Sequence, residues 1–227
     1  MRFVVDPRCS YLASLADERT PADPALDSRT HYMTGVVLAG GHSGRIGTNK
    51  ALLELGGARI IERVLCTIRP LFHEVAIVAN DLDTYAYLGV PIWPDRIPEK
   101  GPLGGVYTAV FQSASPQTFC IACDMPFPNP AVIAYLQDVA PGYDVVVPRT
   151  TDGYQPLHAI YSKTCLPQME AMIHADQLKI DRLFPAVRLR IVEEKEFHPK
   201  DPHLLCFVNV NTWEDLERAA KLAKGSE

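Results

Sequence analysis

A chain of 227 residues that is 47% hydrophobic and 22% charged, with a formal net charge of −5, has room for one α/β domain with a substantial core and too little length to argue for two. No apolar run approaches the roughly 20 residues that span a bilayer, and the negative balance argues against nucleic acid, whose phosphates are held by basic surfaces. The six cysteines, at 9, 66, 120, 123, 165 and 206, lie in segments that mostly read as core, the usage expected of a reducing, cytoplasmic setting.

Residues 1–33 carry Pro, Asp, Ser and Arg with no sustained periodicity and no apolar stretch of the signal-peptide kind. They are expected to form an appended arm, with Met33 a natural start of translation, ahead of a domain at 34–227. From Thr34 onward, strand and helix signals alternate. A buried strand GVVLAG is followed by a helix over ARIIERVLCTIRPL, a strand EVAIVAN, an extended PIWPD and a helix over LGGVYTAVFQSA. Next come a strand TFCIACDM, a helix PAVIAYLQDVA, two strands YDVVVPR and PLHAIYS, helices over CLPQMEAMIHA and near IDRLFPAV, a strand LRIVEE, the segment FVNVNT and a last helix WEDLERAAKLAK. Repeated β-α-β units predict a mostly parallel mixed sheet covered on both faces, a three-layer α/β/α Rossmann-like arrangement. Thr212 with Asp215 three residues on is an approximate capping box for the last helix.

The densest chemistry lies between Gly35 and Leu53, GVVLAGGHSGRIGTNKALL, where a strand runs into a glycine-rich basic loop. Gly40, Gly41, Gly44 and Gly47 free the backbone to wrap a polyanion, and Arg45 and Lys50 supply positive charge. The spacing is neither GxxxxGK[ST] nor GxGxxG. Asp124 follows the apolar run FCIA and precedes Met125 and Pro126, where a carboxylate is expensive unless a cation meets it. It is either a Mg²⁺ ligand, since Mg²⁺ takes one or two protein carboxylates beside phosphate oxygens, or a cap on the following turn. Asn209 and Asn211, two apart, share a face if the segment is extended. Gly101 to Gly105, GPLGG, opens a helix whose free N–H groups favour an anion. Cys120 and Cys123 form a CxxC, but in a strand they point to opposite faces, against redox or metal chemistry.

The order LAGGxxxRxG with a following lysine, GPLGG, CDMP, PLHAIY and NVNT resembles the molybdenum cofactor guanylyltransferases among the nucleotidyltransferases, over roughly residues 34–223. The resemblance implies Mg²⁺-dependent transfer of GMP from GTP to molybdopterin or molybdenum-molybdopterin, and transient contact with cofactor-delivery or acceptor proteins. It implies triphosphate binding by Leu38, Ala39, Gly40, Gly41, Arg45 and Lys50, and nucleotide binding by Asn80, Asp95, Gly101, Gly104 and Asp124. Arg45, Lys50 and Asp124 are then the catalytic set, Asp124 and Asn211 hold metal, and Asn209 shapes the site. His158 reads as a strand residue lining the acceptor side, while Arg149 and Arg182 are either acceptor-phosphate ligands or solvated cations. Ile46 stands where the family usually has methionine, and Asn49 where aspartate is common.

Overall fold

The computed structural model describes residues 32–40 and 49–224. Within these residues the strands are β1 (Met33–Leu38), β2 (Glu54–Leu55), β3 (Ala58–Arg59), β4 (Glu74–Val78), β5 (Ile92–Trp93), β6 (Gln117–Ala122), β7 (Val145–Thr150), β8 (Gly153–Tyr154), β9 (His158–Ser162) and β10 (Leu189–Glu193). The α-helices are α1 (Ile60–Ile68), α2 (Leu82–Tyr85), α3 (Gly101–Gln112), α4 (Pro130–Asp138), α5 (Leu166–His174), α6 (Glu194–Phe197) and α7 (Trp213–Lys224). Eight strands form one sheet in the order β10-β7-β9-β6-β1-β4-β5, with β8 paired to β7, while β2 and β3 make a separate hairpin.

β1, MTGVVL, is buried along its whole length, as a central strand covered on both faces must be. It pairs in parallel with β4 on one side and β6 on the other, Val36 lying opposite both Ala76 and Cys120. Alternation then sends its side chains to two cores. Met33 and Val37 join α1 and α4 on one face, and Val36 and Leu38 join α3 and α5 on the other. The three-layer α/β/α arrangement read from the sequence is thus the observed one. Met33 is a core residue of β1.

Only β8 and β9 run against the sheet. The link from β7 to β9 has no room for a crossover helix, and a short link joins antiparallel neighbours. The chain after β1 goes first to β4 and β5 and then returns to β6 on the other side, so the strand order switches direction at β1. In open α/β sheets that switch point, at the carboxyl ends of the strands, is where ligands bind.

Candidate active site

β1, β4, β5 and β6 end at Leu38, Val78, Trp93 and Ala122. Gly40, Asn80, Asp95 and Asp124 each follow two residues later. Because these strands are parallel, all four positions leave the same edge of the sheet. Backbone bonds carry the ladder past the strand ends: Ala39 N donates to Val78 O at 2.9 Å, Ala79 N to Trp93 O at 3.0 Å, and Cys123 N to Leu38 O at 3.1 Å.

Lys50 Nζ lies 3.7 Å from Asp124 Oδ2, with both side chains about one-fifth exposed, and donates to Asn211 Oδ1 at 2.7 Å. Lys50 is placed by a single helical turn, Lys50–Leu52, which Asn49 caps by accepting from Ala51 N at 3.1 Å. Asn211 is held from both sides. Val210 N donates to Asp124 O at 2.9 Å, and Asn211 N and Thr212 N donate to Asp215 Oδ2 at 3.1 and 3.0 Å. Asp215 N in turn donates to Thr212 Oγ1 at 3.1 Å, completing the capping box expected from the sequence. The FVNVNT segment makes no sheet ladder: a tight turn, Leu205–Phe207, leads into it. Asn209 Nδ2 donates to Phe207 O at 3.2 Å, a bond to its own turn. Asn211 alone of the two amides is bonded to Lys50.

Burial pushes the Asp124 carboxyl above the usual carboxylate range, and the Lys50 ammonium only partly offsets this. A carboxylate in that setting wants more positive charge. One carboxylate and one amide oxygen, already converging on an ammonium, fit a hard cation that takes its remaining ligands from water and phosphate. Among the described residues, no group of three or more His, Cys, Asp or Glu could hold a metal by itself. The donor set therefore suits an ion that arrives with a phosphate ligand.

A second pair sits beside the first. Asn80 Nδ2 donates to Asp95 Oδ2 at 3.0 Å, and Asp95 N donates to Asn80 Oδ1 at 2.9 Å, so strand ends β4 and β5 are tied by two reciprocal bonds. A Cβ on Gly40 would lie 3.4 Å from Asp95 Oδ2, which puts the start of the glycine-rich segment against this pair. Asp95 Oδ1 is buried without a hydrogen-bond partner among the described residues, and burial raises that carboxyl while Asn80 lowers it. Gly101 takes a left-handed φ of 55°. Gly104 has a packing reason for its bare Cα, since a Cβ there would meet Lys100 Cβ at 2.9 Å and Ile97 O at 3.2 Å. Leu38 is buried and Ala39 partly so, which leaves backbone as what they offer. Gly41, Gly44, Arg45 and Gly47 lie outside the described residues.

Other expected residues sit elsewhere. His158 is fully buried between the rings of Phe119 and Phe207, at centroid distances of 5.2 and 5.1 Å, and is a core residue. Arg149 is engaged by Glu193, Nε donating to Oε2 at 3.1 Å and Nη2 to Oε1. Arg182 is exposed on the turn Ile180–Ala186. Cys120 and Cys123 are free thiols that join opposite cores, as the strand reading requires. No described helix is long and apolar enough to cross a membrane. Sequence reasoning gave no role to Tyr85. Its buried hydroxyl contacts both Asn49 and the Ala39 carbonyl, and no local pattern in LDTY signals a contact 46 residues away.

A family described as the MobA-like NTP transferase domain matches residues 35–188, a span that includes Lys50, Asn80, Asp95 and Asp124 and stops before Asn211. The chain is 39% identical over 193 residues to the probable molybdenum cofactor guanylyltransferase of Pelotomaculum thermopropionicum, covering 85% of this chain and 94% of that protein. It is 35% identical over 194 residues to the molybdenum cofactor guanylyltransferase of Desulfosudis oleivorans, covering 85% and 96%. Molybdopterin-guanine dinucleotide biosynthesis protein A from Archaeoglobus fulgidus, a solved structure, matches with a TM-score of 0.75 at 27% identity, over 85% of this chain and 100% of that one.

Proposed function

From the premise that this chain belongs to the MobA-like NTP transferase family, we propose that it transfers GMP from GTP to the terminal phosphate of molybdopterin, with or without bound molybdenum. The observation that carries this reading is the meeting of Lys50 with Asp124 and Asn211 at the switch point of the sheet. Relatives named as molybdenum cofactor guanylyltransferases over nearly their whole length supply the choice of base and acceptor.

In the reaction, an oxygen of the acceptor's terminal phosphate forms a bond to the α-phosphorus of GTP while the bond to pyrophosphate breaks. The attacking phosphate is already anionic near neutrality, so no protein base is needed. The protein's task is alignment and charge neutralisation. Asp124 and Asn211 are the residues that would hold Mg²⁺, which when bound neutralises charge on phosphate oxygens. Lys50, the counterion of Asp124 in the free protein, turns its ammonium to the triphosphate as a mobile point charge. Asp95 Oδ1, without a partner among the described residues, is suited to the amine donors of a guanine or to a ribose hydroxyl. Asn80 fixes that carboxylate through two bonds.

Pyrophosphate release from each of the four nucleoside triphosphates, with and without molybdopterin, tests the proposal. Turnover is expected with GTP, Mg²⁺ and acceptor together. A clear preference for CTP removes the guanylyl assignment, and tight GTP binding with no turnover at any acceptor concentration makes the chain a cofactor-delivery module instead.

A further inference from the structure

Tyr85, at the end of α2, is 1% exposed, and its hydroxyl reaches the chain on both sides of residues 41–48. Asn49 Nδ2 donates to Tyr85 Oη at 2.8 Å. The hydroxyl lies 3.4 Å from the Ala39 carbonyl oxygen and 3.2 Å from Asn49 Oδ1. A phenol has one proton to give. Asn49 Oδ1 already accepts from Ala51 N at 3.1 Å, whereas among the described residues the Ala39 carbonyl has no other donor, which makes it the freer acceptor for that proton. The result is a directed chain from the Asn49 amide through the Tyr85 hydroxyl to the last carbonyl beyond β1. Burial holds the phenol up at about 12, so the proton stays in place across the working pH range.

Asn49 also caps the turn that carries Lys50, and the Lys50 ammonium contacts Asn211 and Asp124. The relay thus joins the end of strand β1, where Gly40 begins, to the base of the lysine that faces the sheet edge. We propose that Tyr85 is a positioning residue: its hydroxyl sets the separation between the β1 terminus and Lys50, and through it the affinity of the site for a nucleoside triphosphate. This rests on the nucleotidyl-transfer reading of the same site. The chemistry of the pair is specific to asparagine at 49, because an aspartate there would accept from Tyr85 where the amide donates.

The test uses the full chain and measures equilibrium binding of a fluorescent GTP analogue with Mg²⁺, alongside kcat and KM for GTP and for acceptor. Tyr85→Phe keeps the ring and removes the relay. Its Kd and KM for GTP are expected to rise roughly 3- to 10-fold, the loss of one hydrogen bond of ordinary net strength. KM for acceptor and kcat at saturating GTP should stay within twofold. Tyr87→Phe, an exposed tyrosine two residues on, should leave all of these unchanged. Asn49→Ala approaches the relay from its other end and serves where Tyr85→Phe folds poorly. The double variant should bind GTP no more weakly than Asn49→Ala alone, since one broken chain cannot break twice. If Tyr85→Phe and Asn49→Ala lower the melting temperature but bind GTP as tightly as the unaltered protein, the hydroxyl is only structural and the inference fails. If the unaltered protein binds no triphosphate, the proposed function itself fails, a result distinct from the first.

Discussion

Asp124 shows what a single residue costs and gains in this fold. A carboxylate largely withdrawn from water at the end of an apolar strand is pushed toward its neutral form, and the structure answers with Lys50 at 3.7 Å. An acid placed at such cost is expected to act on charge. Asp124→Ala should lower turnover by about 10² to 10³, the usual loss when a principal electrostatic stabiliser is removed. Steady-state kinetics across a Mg²⁺ titration would measure it, and unaltered Mg²⁺-dependent turnover would rule the role out. Asp124 was legible in the sequence because it follows an apolar run that reads as a buried strand, whereas Asn80 and Asp95 were singled out by the family resemblance alone. Alternation alone put Asn209 and Asn211 on one face, because it assumes an extended segment, and the family resemblance was what told them apart. The tight turn Leu205–Phe207 gave Asn209 a local partner instead.

Elements of five residues or more were legible because their period is. The apolar faces of α1, β4, β6 and α4 repeat often enough to be seen, and the carbonyl-edge geometry followed from parallel pairing. The hairpin of β2 and β3, the single turn of α2 and the turn of α6 were missed. Two to four residues carry no period, and their partners lie elsewhere in the chain. Tyr85 sits on one of these pieces, which is why its link to Asn49 could not be foreseen. β1 illustrates the reverse, a strand so tightly enclosed that one methyl matters. A Cβ on Gly35 would fall 2.7 Å from Phe72 Cδ2, in a ring stacked on Phe119 at a centroid distance of 5.3 Å. Gly35→Ala is expected to destabilise the protein by about 1–3 kcal/mol through overpacking. Urea denaturation would register the change as a lower midpoint at constant slope.

Across the molecule, the two cores are joined by strands whose side chains alternate between them, and His158 is a titratable group fully buried in one of those strands. Burial lowers its pKa to about 3, with Asp201 opposing, and neither ring nitrogen has a hydrogen-bond partner among the described residues. The folded pKa is therefore below the unfolded value near 6.5, so the unfolded chain takes the proton first. Stability is fully present above about pH 6.5 and declines as pH falls from there toward 3, by up to roughly 5 kcal/mol if only this group titrated. Urea midpoints measured from pH 7 to pH 4 should show the decline, and His158→Phe should flatten it over the upper part of that range. A profile unchanged by the substitution would assign acid sensitivity to other groups. The bond from Lys50 to Asn211 spans 161 positions, and within that span Val210 closes onto Asp124 across 86. A ribosome that has exposed only the first 188 residues has released the β1 turn and the acid but neither amide. The bond that fixes Lys50 to Asn211 can therefore close only after the strands of the sheet, β10 included, have left the ribosome, and the last piece of the site arrives with the end of the chain.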